Sequence, residues 1–273
     1  MTLALTGSTG QLGRLVADQL ADLAPILLVR DPSRAPSIPG SEVRTMAYDE
    51  RALDALPGVD TLFMVSAAEA FDRRSQHRAF IEAAAQVGVR HIVYTSFSGA
   101  SPAADFTLGR DHADAEAAIR ASGMAFTLLR DNFYLDVLPL FADEAGVIRG
   151  PAGSGRVAAV ARADVADVAA VVLRDPDAHA GASYDLSGPE ALTLDEVAAR
   201  AGAVLGRSLS FHDETLDEAY ESRASYGAEQ WQLDAWVSTY TAIANGEVAR
   251  VSGEVERLTG HPARSLEQAL TGR

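Results

Sequence analysis

Gly7, Gly10 and Gly13 recur at every third position of Thr6-Gly7-Ser8-Thr9-Gly10-Gln11-Leu12-Gly13, directly after the apolar run Leu3-Ala4-Leu5. A glycine repeat between a strand and a helix can cradle a pyrophosphate. The helix N-terminus presents free N–H groups and partial positive charge to the phosphate oxygens. Gly7 permits the sharp turn off the strand, and Gly10 leaves no Cβ between backbone and phosphate. Gly13 lets the next helix pack closely. All eight residues, Thr6, Gly7, Ser8, Thr9, Gly10, Gln11, Leu12 and Gly13, are therefore candidate cofactor ligands. The amphipathic stretch Leu15, Val16, Leu20 and Leu23 supplies the helical context such a motif needs.

The nucleotide itself is read at the end of the second strand, Leu27-Leu28-Val29-Arg30-Asp31-Pro32-Ser33-Arg34. Ligands of open α/β sheets sit at the C-terminal ends of the strands, where the second strand faces the adenosine ribose. An acidic side chain there selects a free 2′-hydroxyl. Arg30 stands there instead, with Arg34 a short loop away, and a guanidinium forks onto phosphate oxygens. The expected cofactor is NADP(H), although Asp31 turned inward would weaken that preference. Ser66 and Ala67, where the fourth strand ends, join the cofactor list.

The elements that must position these residues alternate. Strands are expected at 2–6, 25–30, 43–48, 61–66, 91–96 and 126–130, and helices at 11–22, 73–87 and 111–121. That order implies an α/β fold with a doubly wound parallel sheet of Rossmann type. Beyond residue 134 the rhythm loosens. Gly146 to Gly155 reads as a hairpin or loop, and Asp164 as the cap of a helix reaching Leu173. Tyr184-Asp185-Leu186 reads as a late strand, and Thr193 with Glu196 as a capping box. The division expected is a dinucleotide domain at 1–150, with segments of 156–190 contributing to it, and a small, mainly helical lobe at 191–273.

Composition narrows the function classes. The chain has 273 residues, no cysteine and a formal charge of −15. Disulfides and thiolate chemistry are excluded, and the charge opposes binding to nucleic acid or to anionic membranes. No run approaches the roughly 20 apolar residues of a membrane span, and no signal peptide is evident, so a cytoplasmic protein is expected. The six histidines show no metal-ligand spacing, and no metal is expected. All 23 basic residues are arginine, which forbids any mechanism that requires lysine. Oligomeric state is left open.

The loop Thr6 to Gly13, the turn Val29-Arg30-Asp31-Pro32 and Tyr94-Thr95-Ser96 together resemble the NmrA-like branch of the atypical short-chain dehydrogenases. Gln76-His77-Arg78, Phe126-Thr127-Leu128-Leu129-Arg130 and Leu258-Thr259-Gly260-His261-Pro262 extend the resemblance over nearly the whole chain. The bacterial NADPH:quinone reductases and triphenylmethane-dye reductases are the group it is most similar to. The resemblance implies that Arg130-Asp131-Asn132-Phe133-Tyr134 borders the nicotinamide, which adds Asp131, Asn132 and Phe133 to the cofactor list. The chain departs from the family pattern at Ala47, where Asp is frequent, and at Asp131, where Asn is frequent.

Typical short-chain dehydrogenases use a serine, a tyrosine and a lysine four residues after that tyrosine. Ser96 matches the serine, but the other two positions fall on Leu108 and His112. Ser96, His112 and Tyr134 are thus the catalytic candidates. Ser96 would touch cofactor or substrate, and Tyr134 would stack on the acceptor or donate to it. His112, read as partly exposed at a helix start, would donate to the acceptor or bind the ribose. Asp131 would orient the carboxamide or cap the next helix. Without Tyr–Lys, reversible alcohol–ketone chemistry is disfavoured. A small conjugated or aromatic electrophile such as a quinone needs only positioning against the hydride donor. The competing expectation is a non-catalytic NADP(H)-sensing regulator.

Overall fold

Every side chain of Leu3-Ala4-Leu5-Thr6 and of Ile26-Leu27-Leu28-Val29 is buried, the pattern of strands covered on both faces. A computed structural model, which describes residues 1–49 and 51–272, places these runs side by side inside a seven-stranded sheet. The strands are β1 (Leu3–Thr6), β2 (Ile26–Val29), β3 (Val43–Thr45), β4 (Thr61–Met64), β5 (His91–Phe97), β6 (Ala125–Asp131), β7 (Val147–Gly150), β8 (Ser183–Leu186) and β9 (Ser210–Asp213). The helices up to residue 224 are α1 (Gln11–Gln19), α2 (Ala52–Ala55), α3 (Arg73–Gln86), α4 (Thr107–Ala121), α5 (Arg162–Arg174), α6 (Leu194–Leu205) and α7 (Leu216–Ala224). Three more complete the chain: α8 (Gln230–Ala244), α9 (Glu254–Thr259) and α10 (Leu266–Thr271).

Strand order is β3-β2-β1-β4-β5-β6-β8, a Rossmann-type arrangement. β1 pairs in parallel with both β2 and β4, in register Leu5 with Leu27 and Leu5 with Phe63. The order reverses between β1 and β4, so a crevice opens beyond their C-terminal ends.

The chain divides into two compact units whose segments interleave. One comprises Met1–Ser96, Asp111–Arg130 and Val165–Tyr184; the other comprises Phe97–Arg110, Asp131–Asp164 and Asp185–Arg273. The boundaries expected from sequence lie instead near residues 150 and 190. In the first unit, Leu28, Leu62, Met64, Phe80, Ile92 and Tyr94 belong to one buried cluster. In the second, Phe97, Phe106, Leu135, Ile148, Val197 and Tyr240 belong to another. Among the described residues, no helix is long and apolar enough to cross a membrane.

Several local expectations are corrected. β3 ends at Thr45, not at residue 48, and residues 46–49 leave the sheet. The helix expected from residue 111 starts at Thr107. Gly146 to Gly155 is not a hairpin, because β7 pairs in parallel with β9, Val147 opposite Ser210. Asp164 lies inside α5, where it accepts from the Arg264 N–H (2.8 Å) and guanidinium. The Thr193–Glu196 capping box is present as expected.

Candidate nucleotide site and active-site residues

The first unit carries a cleft of about 450 Å³ beyond the C-terminal ends of β1 to β4. Gly7 and Thr9 line it after β1, Arg30 after β2, Tyr48 and Asp49 after β3, and Val65 to Ala70 after β4. Four strand ends converge because parallel strands all finish on one side of the sheet.

The glycine loop has the geometry its spacing implies. Gly7 sits at φ +68°, in the left-handed region, and a Cβ there would come within 2.9 Å of Val65 Cβ. A Cβ on Gly13 would fall 2.2 Å from the Gly7 carbonyl oxygen, so α1 rests directly on the loop backbone and only glycine fits. Gly10 caps α1, donates to the Gly7 carbonyl (2.8 Å) and accepts from Arg14 N–H (3.0 Å). No side chain caps this helix and no acidic residue occupies its first turn. The amides of Gln11, Leu12 and Gly13 therefore lack helical acceptors and face outward as donors. This cradle fits a dinucleotide pyrophosphate.

Other loop members are structural. Thr6 is buried, and its Oγ1 accepts from Val65 N–H (2.8 Å) and hydrogen-bonds the Tyr48 hydroxyl at 2.7 Å. The same hydroxyl bonds the Val65 carbonyl. Tyr48 thereby ties the ends of β1 and β4 together, and burial lifts its phenol well above the ordinary range. Ser8 is also buried, and its Oγ has no partner among the described residues. Ser66 donates its N–H to Thr95 Oγ1 (2.9 Å) while lining the cleft.

Arg30 is exposed on the cleft lip, as the phosphate reading requires. Arg34 is exposed too but does not line the cleft. Asp31 is spent on its own turn, accepting from Ser33 N–H (3.0 Å) and Oγ (2.7 Å). It is therefore not turned against a phosphate at Arg30. Arg51 does line the cleft, its guanidinium 2.5 Å from Asp49. Its place is not readable from sequence, because it lies between a three-residue strand and a one-turn helix, α2.

The three catalytic candidates are each engaged within their own unit. Ser96 is fully buried in the first unit and donates to Glu116 Oε1 (2.6 Å). Glu116 is also held by Arg130, at 2.7 and 2.6 Å. The reading of His112 as a partly exposed helix-start residue is corrected. It lies in the second turn of α4, 6% exposed, with Nε2 3.1 Å from Arg73 and Nδ1 3.0 Å from the Tyr94 hydroxyl. Burial, reinforced by the Arg73 charge, keeps it neutral, well below the usual histidine range. In the second unit the Tyr134 hydroxyl donates to Asp131. Burial and the adjoining carboxylate raise that phenol well above its ordinary value, and the Arg162 guanidinium lies 5.6 Å from its ring.

The remaining candidates follow the same pattern. Asp131 does not cap the next helical turn, Leu138–Phe141, whose N-cap is Val137; its carboxylate accepts from Tyr134. Asn132 is buried, donating to the Val248 carbonyl (3.0 Å) and accepting from Phe133 N–H (2.7 Å). Phe133 packs against Phe97 and Phe106 with centroids 5.0 and 5.2 Å away. Arg162 pairs with Asp136 at 2.5 Å.

Comparison with known proteins agrees with this geometry. A family model described as NAD(P)H-binding matches residues 7–176. The NADPH-dependent quinone oxidoreductase of Escherichia coli, solved with NADPH, superposes with a TM-score of 0.88 at 31% identity, covering 99% of each chain. The triphenylmethane reductase of Citrobacter sp., solved with NADP(H), gives 0.86 at 29% identity, again covering 99% of each chain. An NAD(P)H azoreductase of Xenophilus azovorans is 32% identical, over 97% of this chain and 96% of its own. The chain belongs to this NAD(P)H-binding family.

Proposed function

We propose that this member of the NAD(P)H-binding family is an NADPH-dependent reductase. Its acceptor would be a quinone or similar conjugated, electrophilic small molecule, reduced without a Tyr–Lys pair. The observation that carries the reading is the engagement of every candidate proton donor. Ser96 donates to Glu116, Tyr134 donates to Asp131, and His112 is neutral between Arg73 and Tyr94. Lysine is absent from the chain.

When bound, NADPH supplies hydride from its nicotinamide ring. The chain's own contribution is binding and orientation. The amides of Gln11 to Gly13 and the Gly7–Thr9 turn hold the pyrophosphate, and Arg30 holds the 2′-phosphate. Delivery of Tyr134's proton to an acceptor would leave a phenolate beside the Asp131 carboxylate, two like charges at hydrogen-bonding distance. Such a pair is a poor acid. An acceptor that takes hydride before protonation, and then draws its proton from water, makes no demand on it. Quinones and azo compounds are of this kind, and a cationic triarylmethane dye takes hydride at its central carbon and needs no proton at all; relatives named for such acceptors support the assignment.

The test is NADPH oxidation by the purified protein with a panel of quinones, azo compounds and triarylmethane dyes. Saturable turnover with at least one class is expected. Tight NADPH binding with no acceptor accelerating its oxidation would reject the reductase and favour the NADP(H)-sensing reading.

A further inference from the structure

One face of α3 grips the backbone of a single residue in the wall of the nucleotide cleft. The Ala67 N–H donates to His77 Nε2 (2.9 Å), and the Ala67 carbonyl accepts from Arg73 Nε (2.9 Å). Arg73 and His77 lie one helical turn apart, and both are buried. Both backbone polar groups of Ala67, in the two peptides that flank its Cα, are therefore fixed by buried side chains. Ser66, Ala67, Ala68, Glu69 and Ala70 form the cleft wall, so what fixes Ala67 fixes that wall.

The grip extends to α4 and β5. Arg73 places its second terminal nitrogen 3.1 Å from His112 Nε2, and its first 3.5 Å from Asp111. A guanidinium has donors only, so His112 must accept at Nε2 and carry its proton on Nδ1. That proton points to the Tyr94 hydroxyl, 3.0 Å away. By the same reasoning the Ala67 N–H forces His77 to keep its lone pair on Nε2 and its proton on Nδ1. Nδ1 of His77 is buried with no partner among the described residues. Interiors rarely tolerate an unmade hydrogen bond, so this imidazole is held for its acceptor nitrogen.

We propose that Arg73, His77 and His112 are positioning residues for the nucleotide, setting the backbone at Ala67 and with it the affinity of the cleft for NADPH. The proposal rests on the NAD(P)H reading of that cleft. It assigns His112 to cofactor affinity and removes it from proton transfer. His112 acts on Arg73, Arg73 and His77 act on Ala67, and only the Ala67 wall meets the ligand.

The experiment measures NADPH dissociation constants by titration and steady-state kinetics with menadione as acceptor, on the full chain. His77→Leu removes the acceptor, whereas His77→Gln restores one near the position of Nε2. The expected result is a rise of about tenfold in NADPH Kd and KM for His77→Leu with kcat within twofold, the loss expected for one hydrogen bond. His77→Gln recovers most of the affinity. Amide hydrogen exchange of the segment containing Ala67 accelerates in the leucine variant and not in the glutamine variant. If His77→Leu does not fold, Arg73→Lys decides the matter. One ammonium cannot reach both the Ala67 carbonyl and His112, so KM for NADPH rises at unchanged kcat. A folded His77→Leu or Arg73→Lys protein with wild-type NADPH affinity overturns the proposal. Failure of the wild-type protein to bind NADPH overturns the nucleotide reading instead.

Discussion

The Arg73 guanidinium stands 3.1 Å from Nε2 of His112, deep inside the first unit. Because a guanidinium can only donate, the contact makes this imidazole an acceptor and so a neutral ring. A histidine that reads from sequence as a candidate acid is thus committed to holding an arginine.

The first consequence is kinetic. A histidine acting as proton donor would leave its ionisation in the pH dependence of kcat. His112 is held well below the usual range by burial and Arg73, and His77 is held at about 3 by the same two causes. The kcat for quinone reduction should therefore show no histidine limb between about pH 5.5 and 8.5. A pH profile of kcat with saturating NADPH checks this.

The second is thermodynamic. His77 has a folded-state pKa below that of the unfolded chain, so the unfolded state binds the extra proton as pH falls. Its contribution is intact above about pH 6.5 and is lost progressively towards its folded value of about 3. The slope approaches about 1.4 kcal/mol per pH unit per histidine. His77→Gln removes one such group, so urea unfolding between pH 6 and pH 5 should show a shallower loss of stability than wild type.

Arg30 is the proposed cofactor discriminator. Arg30→Ala should weaken NADPH roughly ten- to a hundredfold, the equivalent of about 1.5–3 kcal/mol for a charge-assisted bond. NADH binding should scarcely change. Parallel titrations with both nucleotides check it, and equal losses for the two would remove Arg30 from phosphate recognition.

Ser96 separates stability from chemistry. Ser96→Ala removes one hydrogen bond to a buried carboxylate and should cost about 1–3 kcal/mol. The kcat with menadione should stay within a fewfold of wild type, because the serine proton already belongs to Glu116. Denaturant unfolding and steady-state kinetics on one preparation test both halves.

The glycine loop is legible in sequence because its information is local. Gly7 needs a left-handed turn and Gly13 a close approach, and both constraints arise within seven residues. The Rossmann-type order is legible for the same reason, through the alternation of strands and helices. Arg30 is placed by the end of the second strand. The features that escape depend on partners far along the chain. His112 is buried by Arg73, 39 residues earlier, and Ser96 is engaged by Glu116, 20 residues later. Neither sequence neighbourhood signals such burial. Tyr48 and Arg51 reach the cleft from beyond a strand of only three residues, too short for its end to be located from its pattern.

The central claim is hydride transfer to an electrophile without a protein acid. Its most direct test is the rate of NADPH oxidation with menadione, set beside the rate with an unconjugated ketone of similar size. Saturable turnover of the quinone is predicted, with none of the ketone above background. Reduction of the ketone at a comparable rate, or no turnover of the quinone, would contradict it.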